Sequence, residues 1–85
     1  MSPLNKKKLT IIRNKLDKVD NSLIKIIKQR TILVKKVLKL KDKKKQIVDK
    51  PRIKKILINI KKKSILNNID PKITKRIWYN MIRAY

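Results

Sequence analysis

The chain has 85 residues, with 27 Lys and Arg against five acidic residues, a formal net charge of +22, and neither Cys nor His. That length supports one small domain with a limited core, and the missing residue types exclude disulfide frameworks, zinc sites and any nucleophile–His arrangement. Charge of this size attracts nucleic acid, acidic membrane surfaces or small polyanions through its long-range field, but it does not choose among them.

Gly is absent and Pro occurs only at 3, 51 and 71, so the prolines divide the chain into three helical segments, each near a helix start. The first begins at Ser2-Pro3 or Leu4 and runs to the lysine-rich stretch near Lys41 to Lys45. Its apolar residues Leu9, Ile12, Leu16, Val19, Leu23, Ile26, Val34 and Val37 recur in steps of three and four, on one face of a helix. Arg30 interrupts this stripe and Lys41 ends it. A cation on an apolar face is costly to bury unless an anion meets it, so these two positions point to a small anionic ligand. Asp20-Asn21-Ser22 offers an alternative cap that would break the segment, but the stripe keeps its phase across that point and favours a continuous helix.

The second segment, Pro51 to about Leu66, places Ile53, Ile56, Leu57 and Ile60 on one side, with Asp49 ahead of it as a candidate cap. The third, Pro71 to Tyr85, opens on Asp70-Pro71, an N-cap followed by proline at the first helical position. It carries Ile73, Ile77 and Met81 with Trp78 and Ile82 alongside, and Trp78, Tyr79 and Met81 read as packing residues. Apolar spacing of three to four rather than two makes the chain all-α, with one long helix and two shorter ones.

A helix of about 38 residues is about 57 Å long, whereas a compact domain of this size has a radius of gyration of about 12 Å. The shorter segments cannot cover every side of it, which predicts that the stripe packs against the same stripe of a second copy. The chain is thus expected to be a single domain, 1–85, completed in a homodimer. No apolar run approaches the roughly 20 residues of a membrane span, and no secretory signal pattern is present, so a soluble cytoplasmic protein is expected. The codons of Lys, Ile and Asn are rich in A and T, and runs such as Lys6-Lys7-Lys8, Lys43-Lys44-Lys45 and Lys61-Lys62-Lys63 read as solvated helix faces.

Placement of single cations is more informative than their total. Arg30 and Lys41 are eleven residues apart, almost three whole turns, and project from one side about 16 Å apart. Arg13 lies roughly 100° around the helix from Arg30, so it serves the same pocket only from the other subunit of an antiparallel or crossed dimer. Arg52 sits at a helix N-terminus, where free amides and the helix dipole favour anions. Each also has a plainer reading: Arg30 paired with an Asp across an interface, Arg13 at the surface, Lys41 as part of the basic run.

These residues, taken in order, resemble the small all-helical chorismate mutase family over nearly the whole chain. The resemblance is carried by Ile12-Arg13-Asn14-Lys15-Leu16-Asp17 with Val19-Asp20, then Gln29-Arg30 with Leu33-Val34 and Val37, then Lys41. Asp49-Lys50-Pro51-Arg52 with Ile56-Leu57 continues it, and Ile69-Asp70-Pro71 with Ile77-Trp78 resembles the start and middle of the family's last helix. The resemblance implies an intertwined helical homodimer with two sites that bind chorismate, a dicarboxylate. It assigns carboxylate binding to Arg30 and Arg52, the ether oxygen to Lys41, a polar supporting role to Asp49, and donation across the interface to Arg13.

Rearrangement of chorismate to prephenate, a step of aromatic amino-acid biosynthesis, breaks one C–O bond as a C–C bond forms. It needs no base, nucleophile, metal or cofactor, only a folded reactive conformer and fixed positive charge where negative charge grows. Arginine suits bidentate carboxylate clamping and lysine acts as a compact charge. Two departures from the family pattern stand out. Ile53 occupies the position of a glutamate that holds the substrate hydroxyl, and the family's Gln or Glu near the ether oxygen falls past Tyr85. The apolar residue at 53 and the aromatic at 85 also resemble the isochorismate-pyruvate lyases, which use the same fold. Outside this family the alternative is a basic helical nucleic-acid-binding protein, and a third is a catalytically inactive relative that keeps the dimer for interaction or regulation. The aromatic residues Trp78, Tyr79 and Tyr85 are confined to the last segment, so charge alone supports only non-specific nucleic-acid binding.

Overall fold

A computed structural model describes residues 1–41 and 49–85; the expected lysine face at Lys43-Lys44-Lys45 lies outside the described residues. Among them stand three helices and no strand: α1 (Pro3–Leu40), α2 (Lys50–Leu66) and α3 (Pro71–Arg83). The all-α expectation holds, with one long and two shorter helices. No helix among the described residues is long and apolar enough to cross a membrane. The chain divides into two compact units, Met1–Val37 and Leu38–Tyr85.

The first unit is α1 up to Val37 and its N-terminal cap; the last residues of the helix, from Leu38, fall in the second unit. Ser2 starts it: the Asn5 N–H donates to Ser2 Oγ at 3.2 Å and the Lys6 N–H to the Ser2 carbonyl at 2.9 Å, which satisfies donors that have no intrahelical partner. The alternative break at Asp20-Asn21-Ser22 does not form. Ser22 Oγ instead donates back to the Lys18 carbonyl at 3.2 Å, the way a mid-helix serine is accommodated without capping. The helix carries no buried residue. Its stripe stays half out of contact, with Leu16 at 54 % and Leu23 at 48 % exposure, and no hydrophobic side chain among the described residues is buried. Propensity and i, i+4 pairs alone hold such a helix weakly, since most helical stability comes from covering an apolar face.

The second unit is a hairpin of α2 and α3. Asp49 caps α2 and Asp70 caps α3, each followed by Pro at the helix start, as the two Asp and two Pro positions predicted. Between the helices the chain turns at Asn67-Asn68-Ile69. The Ile69 N–H reaches the Ser64 carbonyl at 2.9 Å and the Asn68 N–H the Ile65 carbonyl at 3.2 Å, the paired bonds of a Schellman ending. That ending requires a left-handed residue, and Asn68 supplies it with φ of 55°. In a chain without Gly, Asn is the residue best able to take this conformation.

The seam of the hairpin is polar at its centre. Ser64 and Thr74 are buried, at 3 % and 8 % exposure, and their hydroxyls lie 2.6 Å apart. Ser64 Oγ donates to the Ile60 carbonyl at 2.6 Å and Thr74 Oγ1 to the Pro71 carbonyl at 3.3 Å, and in the contact between the two hydroxyls either can be the donor. Around them Ile53, Ile56, Leu57 and Ile60 of α2 are half-buried as their spacing predicted.

Helix α3 keeps part of its expected face. Trp78, Met81 and Ile82 are half-buried as expected, with Pro71 and the buried Thr74 on the same side, while Ile73 and Ile77 remain 56 % and 47 % exposed. The Ser64–Thr74 contact goes with this, since it brings position 74 rather than 73 toward α2 and shifts the covered side by less than one residue's turn. Tyr79 is likewise exposed and lies under Arg83, whose guanidinium carbon is 5.5 Å from the ring centroid.

Replacing Asn68 tests the turn. Asn68→Gly is expected to preserve or raise the urea midpoint, whereas Asn68→Ala loses about 1 kcal/mol because a Cβ without a polar group is penalised in the left-handed region.

Candidate active site

Arg13 and Arg30 both project from α1 within the first unit. Arg13 is exposed and Arg30 half-buried, as expected of a cation set among apolar neighbours Ile26 and Val34. The helix between them is unbroken, and this fixes their geometry. Seventeen residues of α-helix place the two Cα atoms about 25 Å apart along the axis and about 100° apart around it. Two guanidinium groups so disposed on one rigid rod cannot grip one small dianion.

Lys41, Asp49 and Arg52 belong to the second unit. Lys41 is the first residue past α1; its side chain is half-buried and its N–H donates to the Leu38 carbonyl at 3.3 Å. Arg52 is exposed in the first turn of α2. Its backbone N–H donates to Asp49 Oδ1 at 3.0 Å, and the Ile53 N–H donates to the Asp49 carbonyl at 3.0 Å. Among the described residues this cap is the one contact drawn between two members of the expected set. It gives Asp49 a structural task that the spacing implied only in outline: the carboxylate orders the turn that carries the Arg52 guanidinium and leaves that guanidinium to reach outward.

Ile53, next to Arg52, is half-buried in the hairpin. Its side chain points about 100° around α2 from that of Arg52, so an apolar wall borders the arginine where a carboxylate would offer a hydroxyl acceptor. The residues of this set present cations and one capping carboxylate, and no neutral base or nucleophile. Such groups bind anions and stabilise developing negative charge; they do not relay protons.

Sequence reading missed the Ser64–Thr74 pair, which sets the rotation of α2 against α3 and with it the direction of Arg52. The available signal was the spacing of Ser64, four residues past Ile60, where a small polar residue continues an apolar stripe. A helix that buries a hydroxyl at such a place needs a partner for it, and Thr74 is the matching residue on α3.

Substitution of the cap separates its roles. Asp49→Asn is expected to keep the thermal midpoint, because Asn caps as well as Asp, whereas Asp49→Ala loses about 1 kcal/mol in thermal or urea unfolding.

Comparison with known proteins bears on the same residues. The family model described as chorismate mutase type II matches residues 12–85, a span that includes the four cations Arg13, Arg30, Lys41 and Arg52 and the capping carboxylate of Asp49. No curated protein and no solved structure matches the chain.

Proposed function

Because the chain belongs to the chorismate mutase type II family, we propose that it rearranges chorismate to prephenate in the cytoplasm, as a step of aromatic amino-acid biosynthesis, and that it does so as an intertwined homodimer. Family membership supports an isomerase of the chorismate mutase kind acting on a small molecule. In the proposed enzyme residues 1–85 are one domain that is completed by a second copy. Arg30 and Arg52 clamp the two carboxylates, Lys41 faces the ether oxygen, Asp49 supports Arg52, and Arg13 enters from the partner subunit.

The unbroken α1 is the observation that carries the two-chain reading. It separates Arg13 from Arg30 by about 25 Å within one chain, so both can serve one substrate only when they come from different chains. The half-exposed stripe from Ile12 to Val37 supplies the surface for that association, since a continuous apolar face on a long helix is stabilised by a matching face.

The chemistry follows from the residue types. A concerted rearrangement gains from holding the substrate in its folded, diaxial-like conformer, which bidentate guanidinium contacts favour. As the C–O bond lengthens, negative charge collects on the ether oxygen, and a fixed ammonium there is stronger in the transition state than in the ground state. Proton transfer is not required, which suits a set with no His and no Glu.

Ile53 favours a second reading inside the same fold. An apolar residue beside Arg52 removes an acceptor for the substrate hydroxyl, and elimination of pyruvate from isochorismate is the related pericyclic reaction that dispenses with it. Supplying chorismate and isochorismate in turn, and following prephenate against salicylate plus pyruvate, separates the two.

Arg30→Ala is expected to lower kcat/KM by a factor of about 10² or more with the oligomer intact; unchanged turnover rejects the site. Mixing Arg13→Ala with Arg30→Ala chains and allowing them to exchange should restore about a quarter of wild-type activity, because half of the dimers are mixed and each carries one intact site. Recovery of nothing argues against donation across the interface. Ile53→Glu is expected to lower KM for chorismate, read from steady-state kinetics.

A further inference from the structure

The back of the α2–α3 hairpin carries a groove of about 430 Å³ that the proposed reaction does not use. Leu57 and Ile58 form its floor, and Lys54, Lys61, Lys72 and Lys75 rise around it. Ile58 is 45 % exposed, so apolar surface is open to water between four ammonium groups. Lys61 lies nine residues from Arg52 and Lys54 two residues from it. At about 100° per residue both stand on the side of α2 opposite Arg52. A molecule in the groove therefore leaves the arginine that we assign to substrate free.

We propose that this groove is a docking site for an acidic amphipathic helix of a partner protein. Two parallel ridges with an apolar floor fit the convex apolar stripe of a helix, and the lysines are placed to meet carboxylates on either side of that stripe. Lys54 and Lys61 are two turns apart, about 10 Å along α2, which matches carboxylates spaced two turns apart on an opposing helix.

Charge selects among the other occupants. A second copy of this chain does not fit, because it has five Asp and no Glu. Asp49 and Asp70 are engaged as helix caps, and in the sequence Asp17, Asp20 and Asp42 are interleaved with Lys15, Lys18, Lys41 and Lys43. Nucleic acid would meet the lysines through phosphate but gains nothing from a Leu57–Ile58 floor, and no aromatic ring lines the groove for a base to stack on. A flat anionic bilayer does not follow a concave surface.

Fluorescence polarisation on the full chain at physiological salt tests the proposal. The probes are a labelled Leu/Glu peptide with Leu at i, i+3, i+4 and i+7, the same residues scrambled, and oligoglutamate of equal length. The patterned peptide is expected to bind at least about tenfold more tightly than either control. Lys61→Glu and Ile58→Asp should each weaken it about tenfold, while Lys18→Glu on α1 changes it less than twofold. Circular dichroism checks the fold of Ile58→Asp, and Lys61→Glu, at an exposed position, keeps the test decisive if that variant unfolds. Equal binding of patterned and scrambled peptides, or an equal loss with Lys18→Glu, overturns the proposal in favour of diffuse charge. Full displacement by a DNA duplex whose own binding depends on Lys61 overturns it in favour of nucleic acid.

Discussion

A helix with one apolar face is incomplete in water, and α1 is 38 residues of that condition. Burial of apolar surface is the dominant favourable term in folding, yet α1 buries no side chain of its own and the described residues hold no buried hydrophobic residue. Whatever else the molecule does depends on covering that stripe. The same stripe carries Arg30, so the covering surface and the proposed anion site are built on one face of one helix. In the dimer that we propose, association and assembly of the site are a single event.

The second unit solves a smaller problem in a different way. Two short helices need a defined angle and rotation, and apolar side chains alone permit several. Here a buried pair of hydroxyls, Ser64 and Thr74, meets between the Ile60 and Pro71 carbonyls. Among the described residues no buried side-chain polar atom lacks a partner, so the pair carries no desolvation penalty for an unpaired group, and it favours the rotation in which the two hydroxyls meet. That rotation leaves Arg52 on one side of α2 and the lysine-rimmed groove on the other. Asp49 adds the last element of order by capping the turn on which Arg52 stands.

Elements were legible in the sequence where one local cause decides them. Ser2, Asp49-Pro51 and Asp70-Pro71 mark helix starts because capping oxygen and preset proline φ act within a few residues. The continuity of α1 through Asp20-Asn21-Ser22 was legible from the phase of Leu16, Val19, Leu23 and Ile26. The face of α3 was legible in part: Trp78, Met81 and Ile82 are half-buried as their spacing predicted, whereas Ile73 and Ile77 are exposed and Thr74, paired with a hydroxyl ten positions earlier, takes the covered side. For the site, residue types and spacing pointed to Arg13, Arg30, Lys41 and Arg52, and the family resemblance added Asp49 and a role for each. The distance between Arg13 and Arg30 was calculable once the helix was known to be unbroken. The groove was invisible, since Lys54, Lys61, Lys72 and Lys75 acquire a common floor only when two helices meet.

Asn68 has one further property, and it concerns ageing. An asparagine in a turn commonly loses its amide when the following backbone nitrogen attacks the side-chain carbonyl to close a five-membered succinimide. The nitrogen in question belongs to Ile69. Its N–H is held by the Ser64 carbonyl at 2.9 Å, and its β-branched side chain crowds the approach. The bond that ends α2 thus also shields the turn against a chemical clock that a glycine in this place would never have started.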